Sequence, residues 1–305
     1  MDFDFIKLRV GPADLLLLEG IGDGSGGDRA AVARSILHRR RGVGALRLVS
    51  LARSEKDIWL EVYDRDGSRE AAVFDAALCA ARWLLDSGRA GSGDLRFRTR
   101  WGEIQVDVLD GSSLGISVGA LYGLPDRSIL DVELALERRL RVESRGEGFE
   151  ALPVALAAAG GGARQAEIAH NAQWSSRSGS AGQVAQGGPE GVVFFHEGGA
   201  APLRVRLSSR QRGKVPAVAV PALCLSDSEI RIGGARDARL DTVSMAAMAL
   251  GAAALLGRAS DEAFVGSGEA ELLARRNPEG SLYVAARPAY VFRGEFHIDE
   301  EGGVD

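Results

Sequence analysis

The sequence predicts an α+β fold of two pseudosymmetric domains, each a curved, mostly antiparallel β-sheet or barrel wrapped around a central apolar helix. Two segments carry the expectation. VFDAALCAARWLLDSG (residues 73–88) and TVSMAAMALGAAALLG (residues 242–257) are apolar on nearly every side at helical spacing, so each must be enclosed rather than laid on a surface. Both are rich in Ala and Leu, both end at a glycine, and both lie between short strand-like runs. Their small Ala faces let a surrounding sheet come close.

Along the chain, residues 3–19 (FDFIKLRVGPADLLLLE) read as a strand, a Gly-Pro break and a second strand. IGDGSGGD, residues 21–28, is a flexible turn, because the Lys-Ser/Thr of a phosphate-binding loop does not follow it. Residues 30–41 follow as a helix, and the basic run His38, Arg39, Arg40 and Arg41 is its solvated end. GVGALRLVSLA and DIWLEVYDRDG are strands, the second closing in a turn at Asp66 and Gly67. The first enclosed helix is expected over residues 75–86, with Asp75 as its capping residue. LRFRTRWGEIQVDVLDGSSLGISVGAL then gives three strands, turning at Trp101-Gly102 and Asp110-Gly111. Between residues 125 and 192 the pattern weakens, and AAAGGGAR and SSRSGSAGQVAQGG read as low-complexity loops. Strands return with GVVFFHE, PLRVRLS, AVAVPALCL and SEIRIGG, and the second enclosed helix follows over residues 244–256, capped by Ser244. The domains are set at 1–120 and 121–290, with the final strand, 290–305, a candidate addition to the first.

The totals narrow the class. A chain of 305 residues, 46% hydrophobic and 26% charged, suits two ordinary globular domains and neither a disordered nor a membrane protein. A net charge of −5 gives no general attraction for nucleic acid. No apolar run approaches the roughly 18 residues of a membrane span, and the start lacks a basic-then-apolar leader. No nucleic-acid or membrane partner is therefore expected, and the expected address is cytoplasmic. Cys79 and Cys224 are read as buried thiols, and with His38, His170, His196 and His297 they show no metal-ligand spacing, so neither a metal nor a cofactor is expected.

GVGALRLV, VYDRDGSREAAVFDAALCAARWLLDSG and LRFRTRWGEIQVDVLDG together resemble the amino-terminal half of the diaminopimelate epimerase family. The family pattern there is a GxGxxQ strand, an FNxDGSxxxxCGNG stretch entering a helix, and a TxxG hairpin. TVSMAAMALGAAALLG stands where the family has its second cysteine, in CGSG, and SLYVAARPAYVFRGEFHI resembles the family's closing strands. The resemblance covers residues 3–120 and 240–298 and is poor between them. It implies the same two-domain fold and cofactor-independent epimerisation. In that family two cysteines at helix starts face the substrate's α-carbon from opposite sides, one as thiolate base and one as thiol acid.

The chemistry departs from that pattern. The family's cysteine positions fall on Val73 and Thr242; Phe74, Asp75 and Ala76 replace Gly-Asn-Gly, and Val243, Ser244 and Met245 follow the second position. Valine has nothing to titrate, and a threonine hydroxyl is a far weaker acid than a thiol of pKa about 8.5. The family's substrate-binding positions fall on Ala13, Arg47 and Asp64, its Glu-Arg pair at Gly233 and Gly234, and its Gly-Asn-Pro-His at best on residues 187–190. The candidate pocket is therefore Arg47, Asp64, Phe74, Asp75, Thr242 and Ser244. Each has a plain alternative. Asp75 and Ser244 cap helices, Asp64 shapes a turn, Arg47 lies on an exposed strand face, and Phe74 fills the space a glycine would leave for a ligand. Cys79, four residues past Asp75, reads as a structural thiol.

Two functions stay open. One is a non-catalytic binding or regulatory pseudoenzyme, taking a small amino-acid-like ligand or a protein partner such as a paralogue or a second copy. The other is a cofactor-independent isomerase with a rebuilt carboxylate site at Asp75 or Asp64, tied to lysine biosynthesis by ancestry.

Overall fold

The computed structural model describes residues 2–19, 28–53, 57–70, 73–91, 93–100, 102–110, 112–123, 130–134, 139–142, 149–156, 190–196, 205–208, 218–233 and 240–298. The chain divides into two units, Met1–Ile116 with Ala286–Asp305, and Ser117–Ala285. The first unit runs β1 (Asp2–Val10), β2 (Ala13–Glu19), α1 (Arg29–Ile36), β3 (Arg47–Arg53), β4 (Ile58–Tyr63), α2 (Phe74–Asp86), β5 (Leu95–Thr99), β6 (Gly102–Asp110) and the start of β7 (Ser113–Gly123). The second holds β8 (Leu130–Leu134), β9 (Arg139–Val142), β10 (Phe149–Leu156), β11 (Glu190–His196), β12 (Val205–Ser208), β13 (Val218–Cys224), β14 (Glu229–Ile232), α3 (Thr242–Leu255), β15 (Glu262–Ser267), β16 (Ala270–Arg276) and β17 (Ser281–Ala286). The closing strand β18 (Ala289–His297) returns to the first unit and pairs antiparallel with β1.

The two units repeat one succession of strand pairings. In the first, β1–β2 is antiparallel, β2–β3 parallel, β3–β4 antiparallel, β4–β5 parallel and β5–β6 antiparallel. In the second, β10–β11, β11–β13, β13–β14, β14–β15 and β15–β16 follow the same order of directions. The apolar helix sits at the same step of each unit, α2 between β4 and β5 and α3 between β14 and β15. A parallel pair cannot be closed by a tight turn and needs a crossover, which the helix supplies.

Each sheet wraps its helix. α2 packs against β1, β2, β3 and β6, and α3 against β10, β11, β13, β14, β15 and β16. Residues 74–81 of α2, together with Trp83 and Leu84, are buried, and Arg82 pairs with Asp86 at 2.6 Å along the remaining strip. All of α3 from Thr242 to Ala253 is buried. Leu78, Leu84 and Met248 thus lie inside as expected, whereas Leu255, the last residue of α3, is 42% exposed. The leucine run of β2 is explained by cover on both faces. Leu15, Leu16, Leu17 and Leu18 are all at most 1% exposed, α2 packs on this strand, and Val32, Ala33 and Ile36 of α1 cluster with Leu16 and Leu18.

α1 is shorter than its sequence pattern, ending at Ile36 instead of continuing to Arg41. Two glycines let the chain fold back against the helix end. A Cβ on Gly42 would stand 2.3 Å from the Ser35 carbonyl oxygen, and Gly44, at φ +73°, donates its N–H to the Ile36 carbonyl at 3.0 Å. The basic run is an exposed turn beyond the helix rather than its end: His38 Nδ1 accepts from the N–H groups of Arg40 and Arg41 at 3.2 and 3.0 Å. The glycines of GVG therefore have a structural duty at the entry to β3. The Gly-rich residues 21–27, the low-complexity residues 157–189 and the turn residues Trp101 and Gly111 lie outside the described residues. Among the described residues no helix is long and apolar enough to cross a membrane.

Candidate functional site

The first helix start is built by β4, the turn after it and α2. Asp64 follows Tyr63, the last residue of β4; its N–H donates to the Ser68 carbonyl, its carbonyl accepts from Gly67, and its Oδ1 accepts the Arg65 N–H at 2.7 Å. That geometry is a tight turn with Gly67 at φ +82°, so the Asp64 carboxylate is engaged by its own loop. The Arg65 guanidinium donates through Nε to the Ala45 carbonyl at 3.0 Å and fastens this turn to the GVG segment.

The capping assignment of α2 needs correction. Val73 occupies the cap position, with no side-chain hydrogen bond to the helix, and Asp75 is the second helical residue instead of the cap. A carboxylate there still benefits from the positive end of the helix. Asp75 is 0% exposed, and Val73 and Phe74 are each 5% exposed. One turn on, Cys79 is wholly buried, and its thiol is pushed well above the ordinary range, first by burial and then by the negative charge of Asp75. It stays protonated at neutral pH.

The second helix start also differs from its sequence reading. The cap of α3 is Asp241, whose Oδ1 accepts the Ser244 N–H at 2.7 Å; Ser244 lies within the first turn. Asp and Ser are both good caps, and the one three residues earlier wins because its side chain reaches the N–H of the other. Asp241 is the capping residue that the sequence reading missed, and the Asp-x-x-Ser spacing was its signal. Ser244 is 0% exposed, and its hydroxyl has no hydrogen-bond partner among the described residues. Thr242, the first helical residue, is 1% exposed. Asp241→Ala is expected to destabilise the second unit by about 1–2 kcal/mol and Asp241→Asn by clearly less, since an amide oxygen can still accept the N–H. Urea unfolding of the two variants measures this.

The remaining candidates divide. Arg47 does not lie on an exposed face: it opens β3 and is 0% exposed, because β2 and β4 flank it and α2 packs on the same sheet. Ala13 opens β2 and is buried, and Gly233 is buried with its N–H donating to the Pro221 carbonyl at 2.9 Å. Gly234 and residues 187–189 lie outside the described residues. Cys224, read as a buried thiol, is only half-buried. Among the described residues, no group of three or more His, Cys, Asp or Glu side chains is arranged to hold a metal ion.

No family model matches the chain. It is similar to the diaminopimelate epimerase of Moorella thermoacetica, at 27% identity over 106 residues, which is 34% of this chain and 38% of that protein. The matches span between about a third and a half of the length of the curated relatives. In structure it is similar to a phenazine biosynthesis protein of the PhzF family from Bacillus anthracis, with a TM-score of 0.61 at 10% identity, over 98% of this chain and 100% of that one. It is similar also to a hydroxyproline epimerase from Agrobacterium vitis, solved with bound trans-4-hydroxy-L-proline, with a TM-score of 0.56 at 12% identity over 99% and 94% of the two chains. Sequence similarity over part of the chain and likeness of structure over nearly all of it thus show that this protein has a diaminopimelate epimerase-like fold.

Proposed function

We propose that this protein has given up two-thiol epimerisation and serves as a non-catalytic binding or regulatory member of the superfamily. The observation that carries the reading is the charge at both helix starts: each holds a buried carboxylate of the chain itself, Asp75 in the first turn of α2 and Asp241 as the cap of α3. A thiolate base draws its stability from the positive end of a helix. Here that field is already used by aspartates, while Val73 and Thr242 stand at the positions matching the family's cysteines. The same burial gives a second reading some support. Asp75, wholly enclosed at a helix start, is the residue a carboxylate-based isomerase of this fold would use as its base. Incubation with each stereoisomer of diaminopimelate, followed by chiral separation, tests the proposal. No interconversion is expected. Interconversion that disappears in Asp75→Asn would replace the pseudoenzyme with the isomerase.

A further inference from the structure

The turn that follows α1 sets three consecutive arginines, Arg39, Arg40 and Arg41, in solvent. None of the three has an ion-pair partner among the described residues, whereas Arg29 and Arg69 pair with Glu61, and Arg98 with Asp57. Two more cations converge on the segment that leaves the turn. Lys7 Nζ donates to the Gly44 carbonyl at 2.7 Å, and Arg65 Nε to that of Ala45 at 3.0 Å. Lys7 is paired with Asp14 at 2.8 Å, while Arg65 Nη2 is buried with no hydrogen-bond partner among the described residues. The field around the turn is therefore positive.

The backbone that carries these charges is fixed. His38 Nδ1 accepts the Arg40 and Arg41 N–H groups, the Gly42 N–H donates to the His38 carbonyl at 2.8 Å, and the Gly44 N–H returns to the end of α1. A Cβ on Gly44 would stand 3.2 Å from the Arg39 Cα, so the chain leaving the turn packs directly against its first arginine. A ligand that binds here needs to order side chains only, which lowers the entropy lost on binding.

Three adjacent residues span about 10 Å. A guanidinium bonds a carboxylate at two points, and its charge does not titrate away. In a chain of net charge −5, a long polyanion or an anionic membrane covering the turn would also lie over the acidic remainder, whereas a short acidic segment meets the arginines alone.

We propose that the turn at Arg39, Arg40 and Arg41 is a docking site for an acidic segment of a partner protein, one with two or three carboxylates within a few residues, each held by a guanidinium. The site stands apart from both helix starts and does not depend on whether the protein is catalytic.

Fluorescence anisotropy of a labelled octaglutamate peptide, titrated with the full chain at about 50 mM salt, tests this. Saturable binding that weakens as salt is raised is expected. Arg39→Glu, Arg40→Glu and Arg41→Glu combined should weaken it about tenfold or more, and the corresponding alanine triple should weaken it as well. Arg98→Glu, at an exposed arginine already paired with Asp57, should leave it unchanged. The side chains altered are exposed, and unchanged far-UV circular dichroism establishes that the variants fold. An octathymidylate strand and phosphatidylserine vesicles should bind less tightly than the peptide. Absence of peptide binding, binding that survives both triple variants, an equal loss in Arg98→Glu, tighter binding of the strand or the vesicles, or peptide binding that appears only once residues 299–305 are removed would each overturn the proposal.

Discussion

Val73→Cys combined with Thr242→Cys is expected to leave the protein without α-proton exchange on diaminopimelate. Both new thiols would stand at helix starts, which by itself favours a thiolate. The fold puts a carboxylate beside each. Position 73 is two residues before the buried Asp75, and position 242 directly follows the buried cap Asp241. A negative charge in a poorly solvated site disfavours a second one, so both thiols would be held in the protonated form, as Cys79 is already held by burial and by Asp75. On the proposed assignment the substrate would also be poorly placed, because the buried Phe74 and Ala13 offer it no polar group. A base that cannot be positioned loses most of its advantage. Adding Asp75→Asn and Asp241→Asn to the double variant separates the two causes: recovered exchange would assign the loss to charge alone, and continued inactivity would assign it to the rebuilt pocket.

The second large effect concerns stability. Leu78→Ala is expected to cost the first unit about 2–5 kcal/mol, because Leu78 is wholly enclosed in the middle of α2 and the closely packed sheet cannot collapse onto the void. That is a large share of the 5–15 kcal/mol by which domains are typically stable. In the second unit Ala249→Leu tests the same enclosure by overfilling. Ala249 is 0% exposed, and replacing its methyl by an isobutyl group is expected to cost about 1–3 kcal/mol. Leu255→Ala is the control: at 42% exposure it should change stability by no more than about 0.5 kcal/mol. Urea unfolding, followed by the fluorescence of buried Trp83 for the first unit and by circular dichroism for the second, measures all three. A Leu78→Ala cost below about 1 kcal/mol would mean that α2 is not enclosed.

The two enclosed helices were legible in the sequence because apolarity on every side of a helix has few structural solutions, and the alternating runs around them declared the strands. Strand direction was not legible. Alternation of polar and apolar residues records which face of a strand is buried, and nothing in DIWLEVY or LRFRT marks that β4 and β5 run parallel. Helix starts were misplaced by one to three residues for a local reason: Asp241 and Ser244 are equally acceptable caps, and only the folded backbone decides which side chain reaches which N–H. The burial of Arg47 was hidden by its residue type, since arginine is almost never fully enclosed. At the candidate site, the resemblance assigned Val73 and Thr242 to the family's cysteine positions as an expectation. It did not reveal that aspartates occupy both helix starts, because that depends on the placement of the first helical residue.

The most direct test is deuterium incorporation by the unaltered protein, at neutral pH in heavy water with diaminopimelate as substrate, followed through loss of the α-proton signal by NMR. On the proposed assignment of Val73 and Thr242 to the family's acid and base positions, and with aspartates at both helix starts, incorporation should equal that of a sample without protein. Incorporation well above that control would show that a group in this chain removes the α-proton, and would contradict the account.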